Sequence, residues 1–465
     1  PKVSFDFSFK NQLKSLWKLS TIDFLFIVKS WPFICIVLVG LLINLIGLSE
    51  LGNVFGTSTL PRTWRMLQAG STFTLAINIC TFLYAGILIH RARIANTNQL
   101  IDVTPIENWV LFGSKFLAIF KMQLALSSLI IITGLIFQTY NGFYDFEISL
   151  YLYEVFALSL IYYVIWTFLT FLVQTLITNP YVGLFVMIVL LIGIPLLSLA
   201  GVEQSVFKYN MGPGYSYSDM NGYGSNLNRY FIYKVYWLSL GFVFCILTTL
   251  FYVRGLPSNF NEKMIIAKSR FNGKFPFFIT FFTLTFLSIG GYIYFDNNIN
   301  NQRTSQKESE IIIAEGEKKY KKYEDYAQPR IVSANVNVDI FPSSRNLNAS
   351  GEYMMVNKTK EVIDSIFLDH NGLISTFKFN KEINLVSEDT IYNLDIYKLK
   401  NPLYPGDSLK LSFSVKNKPN TVLRNNSQVL NNGTFINNSI FPSLGYLLGE
   451  LRDDKTRKKY DLPPN

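Results

Sequence analysis

The chain has 465 residues, 49% of them hydrophobic, and a formal net charge of +10. Its mean hydropathy of +0.24, with 40 Phe and 27 Tyr, is high for a water-soluble protein and fits lipid-facing and interfacial surfaces. Lys and Arg outnumber Asp and Glu by 19 to 11 up to Phe295, but only by 23 to 21 beyond it. The excess therefore lies among the apolar runs, where it sets topology, and no basic patch with interleaved aromatics argues for nucleic acid.

The chain changes character near Asp296, from apolar runs to a polar, strand-patterned tail. Cys35, Cys80 and Cys245 all lie in the apolar part, so no disulfide framework is expected in the tail. Starting at Pro1 without Met or a signal peptide, the chain reads as a piece of something larger.

Phe5 to Ser20 predict an amphipathic helix. Phe9, Leu13 and Leu16 share one face, and Lys10, Lys14 and Lys18 form a stripe on another, with Trp17 beside it. Such a helix lies in the headgroup layer with its lysines toward anionic lipid; a cytosolic surface helix is the alternative. Seven apolar segments follow as candidate spans: Trp31 to Leu48, Ser71 to Ile89, Trp109 to Phe137, Leu150 to Ile177, Tyr181 to Leu199, Phe231 to Val253 and Pro276 to Phe295.

Loop charges orient them. The N-terminal segment with Lys2 and Lys29, the loop after Arg91 and Arg93, and the loop holding Arg254, Lys263, Lys268, Arg270 and Lys274 share one side if seven spans alternate. By the positive-inside rule that side is the cytoplasm, which puts the tail outside. Asn44, Asn78, Lys115, Lys121, Glu154, Gln174 and Lys234 lie in or beside spans and either line a substrate path or serve packing and snorkelling. The loop Asn210 to Arg229, rich in Gly, Tyr and Asn, is expected outside, as a turn-rich cap or a contact surface built on Tyr217, Asp219, Asn221 and Gly222.

In the tail, the charged run from Gln302 to Ala327 predicts a solvated helix or stalk, ended by Pro329. Ile331 to Ile340 alternates, with Val332, Ala334, Val336, Val338 and Ile340 on one face of a half-buried strand. Further strands are expected over Gly351 to Val356, Ile363 to Leu368, Leu373 to Phe379 and Leu409 to Val415, with turns at Asn371-Gly372 and Pro405-Gly406-Asp407. An antiparallel β-sandwich fits that spacing.

No catalytic constellation stands out. His90 is followed by RARI and His370 by NGLI, so neither begins an HExxH zinc site, and Walker A is absent. No metal or cofactor ligand set is expected in this chain.

Several long stretches carry a family resemblance: FGTSTLPRTWRML (Phe55 to Leu67), RARIANTNQLIDVTPIENWVLFGSKFLA (Arg91 to Ala118), YSDMNGYG (Tyr217 to Gly224) and FYVRG (Phe251 to Gly255). With these the membrane part resembles the permease subunits of type-2 ABC exporters. It is most similar to the second half of Bacteroidetes-type proteins that fuse such a permease to an aminopeptidase-N-type zinc metallopeptidase. KKYKKYEDYAQPRI (Lys318 to Ile331) and NGTFINNSIFPSLGYLLGELRDDKTRKKYDLPP (Asn432 to Pro464) resemble the start of the fused peptidase. GEYMMVN (Gly351 to Asn357) lacks the Glu-Asn pair of the exopeptidase motif, so no zinc or peptidase role carries over.

The resemblance implies an elbow segment over 1–30, a permease domain of about seven transmembrane helices over 31–295, a charged helical stalk over 296–330 and an extracytoplasmic β-domain over 331–465. It implies a bacterial inner-membrane location with a cytoplasmic N-terminus and a periplasmic C-terminal domain. It further implies partner ABC ATPases that supply ATP and Mg, and a second permease half or a homodimer mate. Arg91, Arg93, Asn98, Asp102 and Pro105 are expected in the ATPase contact; a plain connecting loop is the alternative. Two other functions stay open: the membrane anchor of a zinc aminopeptidase whose catalytic part lies elsewhere, and a non-transporting component holding an envelope partner through the β-domain.

Overall fold

The computed structural model describes residues 8–51, 53–54, 57–224, 226–252, 260–300, 304–370, 374–418, 427–430, 434, 436–446 and 448–464. Phe5 at the head of the expected elbow, Lys2, Arg254 and the expected turn at Asn371-Gly372 lie outside the described residues. The chain divides into two compact units. One comprises Pro1–Gly214 with Tyr230–Ile293, the other Tyr215–Arg229 with Tyr294–Asn465.

The first unit is helical. Helix α1 spans Phe9–Val28, longer than the expected elbow, because Phe24, Ile27 and Val28 continue its packed face. Ser8 caps its start, accepting from the Asn11 amide. Helix α2 (Trp31–Glu50) begins at Trp31-Pro32, where proline fits the first turn. Helix α3 (Thr63–Ile94) starts eight residues before the expected Ser71 and tightens into a short 3₁₀ turn at Ser71–Phe73. Helix α4 (Asn98–Asp102) is one short turn, and α5 runs over Asn108–Tyr140. Helix α6 (Ile148–Leu176) winds as a π-helix over Tyr153–Ser159. Helix α7 covers Pro180–Leu196, α8 Asn226–Phe251, α9 Phe260–Arg270 and α10 Phe275–Asn300.

Six of these helices, α2, α3, α5, α6, α8 and α10, are long and apolar enough to cross a membrane. Helix α7, expected to reach Leu199, stops at Leu196, and residues 197–201 form turns. The most enclosed is α3, with 67% of its apolar window buried, and the least is α10, with 6%.

In an apolar solvent a buried polar side chain must find its partner inside the protein. Gln123 on α5 donates to Thr81 of α3 at 3.0 Å and Thr167 of α6 at 2.8 Å, tying three helices. Gln174 donates to the carbonyls of Phe82 and Pro180. A Cβ at Gly86 or Gly183 would come within 2.6 or 2.3 Å of that amide, so only glycine lets α3 and α7 close on it. Asn44 donates to Thr133, Lys121 to Ser20 and Thr21, and Lys234 to the side chain of Asn210. These candidate path residues therefore serve as links between elements.

The second unit holds α11 (Gln306–Tyr320), opened by a capping box in which Ser305 and Glu308 exchange hydrogen bonds. Strands β1 (Arg330–Phe341), β2 (Asn346–Val356), β3 (Ile363–Asp369), β4 (Ile374–Phe379), β5 (Ile383–Asp389), β6 (Leu394–Leu403), β7 (Ser408–Asn417) and β8 (Ser443–Leu444) form two antiparallel sheets. Their orders are β1-β2-β7-β4 and β8-β3-β6-β5. Inward residues of both, among them Leu347, Met355, Leu411 and Phe413 with Ile366, Leu368 and Leu399, join one hydrophobic cluster. Gly351 lies inward opposite Phe413, where a Cβ would meet that ring at 2.9 Å.

Strand β1 departs from expectation. It is an edge strand on which only Val336 and Val338 are half-buried, while Val332, Ala334 and Ile340 are exposed. Strands β5 and β6 had no counterpart in the sequence reading. A bulge between Leu385 and Ser387 breaks the alternation of β5, and β6 carries Lys398 and Lys400.

Helix α11 is packed on the β region rather than solvated. The carboxylate of Asp389 accepts from Lys319 and from the Tyr320 hydroxyl, both at 2.6 Å, and from the amides of Ile391 and Tyr392. Glu317 is buried and takes two hydrogen bonds from the guanidinium of Arg457, also buried, on the C-terminal helix α12 (Asp454–Lys459).

Burial pushes the Asp389 carboxyl up, but the Lys319 ammonium and its other donors outweigh this and hold it at about 2, below its ordinary 3.8. The resulting stability is present above pH 3.8 and is lost as pH falls through about 2. All six Trp lie before Phe295, so tryptophan emission reports the helical unit alone. Far-UV circular dichroism of the whole chain in neutral detergent will show an acid loss of β signal in that window, and Asp389→Asn will remove the pH dependence there. Leu411→Ala will destabilise the β region by about 2–5 kcal/mol, read from urea unfolding of the same signal.

Candidate functional site

Helices α3, α6 and α8 bring their C-terminal ends, and α5 its N-terminal end, to one cavity of about 350 Å³. Helix C-termini carry unpaired carbonyls and partial negative charge, and cations gather there. The Lys263 ammonium on α9 donates to the Thr175 carbonyl at 3.0 Å, and Arg270 to the Tyr252 carbonyl at 2.6 Å. A ring nitrogen of His90 contacts the Gln174 carbonyl at 3.1 Å. Burial, with Arg93 nearby, pushes the Lys263 ammonium below its ordinary range.

The elbow closes one side of this region. In the last turn of α3, Arg91 pairs with Asp23 of α1 at 3.0 Å and lies over the Phe26 ring at 4.1 Å. Gln12 donates to Glu107 at 2.9 Å, Phe9 stacks on Trp109, and Lys121 sits 3.7 Å over the Trp17 ring. The Ser30 hydroxyl hydrogen-bonds Tyr84 of α3. The elbow is thus fastened to the helical body at both ends.

The structure distributes the expected contact residues over this region. Arg93 and Asn98 line the cavity. Pro105 lines a separate groove of about 110 Å³ with Gln12 and Glu107. Arg91 is occupied with Asp23. Asp102 ends α4, and its side chain lies outside the described residues. Lys10, Lys14, Lys18 and Trp17 are exposed on α1.

Sequence reasoning passed over Asp23 and His90 as members of this site. Asp23 carried a signal: a carboxylate among apolar neighbours in a lysine-rich helix needs a cation.

Tyr217, Asp219, Asn221 and Gly222 lie in the other unit. Ser218 and Gly222 exchange backbone hydrogen bonds of 2.9 and 2.7 Å, a closure that needs the left-handed backbone of Gly222 (φ 59°). Tyr217 and Tyr215 pack edge-on against Tyr223. The described part of this loop is a compact turn, and a Cβ on its Gly224 would touch Leu430 of the tail at 3.9 Å.

Among the described residues no group of three or more His, Cys, Asp or Glu side chains is placed to hold a metal ion. Comparison with family models, with curated proteins and with solved structures finds no match for this chain.

If the Arg91–Asp23 pair fastens the elbow, Arg91→Ala will raise amide hydrogen exchange over residues 9–28 several-fold in the detergent-solubilised chain. Lys14→Ala will leave that exchange unchanged, since Lys14 is exposed.

Proposed function

We propose that this chain is the membrane-spanning permease half of an ATP-driven exporter of the type-2 ABC kind, with a β-domain on the far side of a bacterial inner membrane. The observation that carries this reading is the fastening of an amphipathic elbow, through Arg91–Asp23 and Gln12–Glu107, to the polar segment between α3 and α5. A force applied to that segment from the cytoplasm reaches the elbow and α5 together, and rocking of this kind shifts access across a bilayer.

Seven crossings and a sandwich belong to the same reading. Helices α6 and α8 both end at one cavity, so the chain between them must cross once more, and α7 is the apolar helix in that stretch. Crossings by α8 and α10 then leave the loop 215–229 and the tail on one side, consistent with their grouping in one unit. The single cluster shared by two sheets favours a sandwich. The positive-inside rule puts Arg93, Lys263 and Lys268 in the cytoplasm. The partners are ABC ATPases, a second permease half or another copy, and membrane lipid; ATP and Mg belong to the ATPase.

The test is purification of the tagged chain from its native membrane in a mild detergent, followed by identification of what accompanies it. An ATP-binding cassette subunit is expected, retained about ten-fold less or worse by a variant combining Arg93→Ala with Asn98→Ala, the scale of an interface anchor. Retention unchanged by that variant would sink the contact. The absence of any such subunit under conditions that preserve complexes would sink the reading and favour an anchoring or binding role.

A further inference from the structure

The cavity where the helix ends meet has a charge balance that capping of helix ends leaves unexplained. Three cations line it, Arg93, Lys115 and Lys263, and Arg91 is tied to its wall through Asp23. Arg91 is taken up by Asp23, and Lys263 caps the end of α6. Lys115 is different. It lines the cavity from α5, is half-buried, and makes no hydrogen bond or ion pair to any described residue. Asp23, the carboxylate among the lining residues, pairs with Arg91 and attracts the Lys115 ammonium only at longer range. The described lining therefore includes an ammonium with no hydrogen-bonding acceptor.

The rest of the wall is mixed. Asn98 and Thr104 add polar groups, while Leu19, Ile101, Leu111 and Phe251 supply apolar surface. The depth is also informative. The cavity is formed at residues 89–93, 111–115, 175 and 251–252, where four apolar helices begin or end, which is where hydrocarbon gives way to headgroups. A half-buried cation without a partner is costly unless an anion joins it. Phosphate oxygens suit a point-charge ammonium beside a guanidinium.

We propose that this cavity binds a phosphate-bearing anion, with Lys115 as its principal contact and Arg93 and Asn98 completing the site. The anion is either a phospholipid headgroup entering from the bilayer or a soluble phosphate entering from the water. The proposal stands apart from the exporter reading, because it needs no ATPase partner.

The test follows thermal unfolding of the purified full chain by tryptophan emission, in two arms. In the first, inorganic phosphate is compared with chloride at equal ionic strength in neutral detergent. In the second, nanodiscs containing phosphatidylglycerol are compared with discs of phosphatidylcholine alone. The expected result is a rise of several degrees in at least one arm, lost in Lys115→Gln and kept in Lys115→Arg. It should also be kept in Lys268→Gln, which removes an exposed charge from α9 outside the cavity. A rise in the phosphate arm identifies a soluble phosphate, and a rise in the nanodisc arm alone identifies a headgroup. Should Lys115→Gln fail to fold, Arg93→Gln takes its place. The proposal is overturned if neither arm shifts the wild type, if the cavity variant keeps the full shift, or if Lys268→Gln loses as much.

Discussion

The ion pair of Arg91 with Asp23 is the polar contact that ties the elbow to the core helices. It joins the last turn of α3, the most enclosed helix, to the elbow that precedes the first span. Stacking of the same guanidinium on Phe26 sets the orientation of the pair. Once α1 is held there, Lys121 reaches Ser20, Thr21 and the Trp17 ring, and Gln12 reaches Glu107. A flexible connection between α3 and α5 thereby becomes part of a packed corner.

The interior of that unit follows a second rule. Gln123 and Gln174 sit where lipid-soluble side chains would be simpler to accommodate, yet each bridges neighbouring helices through hydrogen bonds. The glycines at 86 and 183 exist to let backbones approach Gln174, an arrangement of small residue and amide that suits helix association in lipid. Register between α3, α6 and α7 is specified by hydrogen bonds, because apolar side chains alone slide with little preference in hydrocarbon.

Much of this was legible in the residues. The long apolar runs announced α2, α3, α5, α6, α8 and α10, and the lysine stripe announced α1. Boundaries were less visible: Thr63 to Gly70 is too mixed to extend an apolar run, although its one-sided pattern suits the helix that packs against α2 and α5. In the tail, β2, β4 and β7 alternate and could be read, and β3 was readable as a short apolar run, whereas the bulge in β5 interrupts the period of two. The alternation of β1 was read correctly as a strand and wrongly as half-buried, since periodicity does not tell an edge from a centre. The cavity was legible least. Asp23, His90, Lys115, Thr175 and Lys263 are far apart in sequence, and only the meeting of helix ends collects them.

The last span shows what thin packing means for a membrane helix. Helix α10 meets α8 through a short aromatic ladder, with Tyr236 stacked on Phe286 at 4.4 Å, Phe242 on Phe282 at 4.8 Å, and Gly290 under the Tyr236 ring. Nearly all of its remaining apolar surface is uncovered by the rest of the chain. A helix bound so lightly takes its tilt from bilayer thickness rather than from its neighbours. Flat rings sliding over one another let that tilt change at little cost, so a thinner or thicker membrane would be felt first at this helix, with the hydrogen-bonded bundle around Gln123 left as it is.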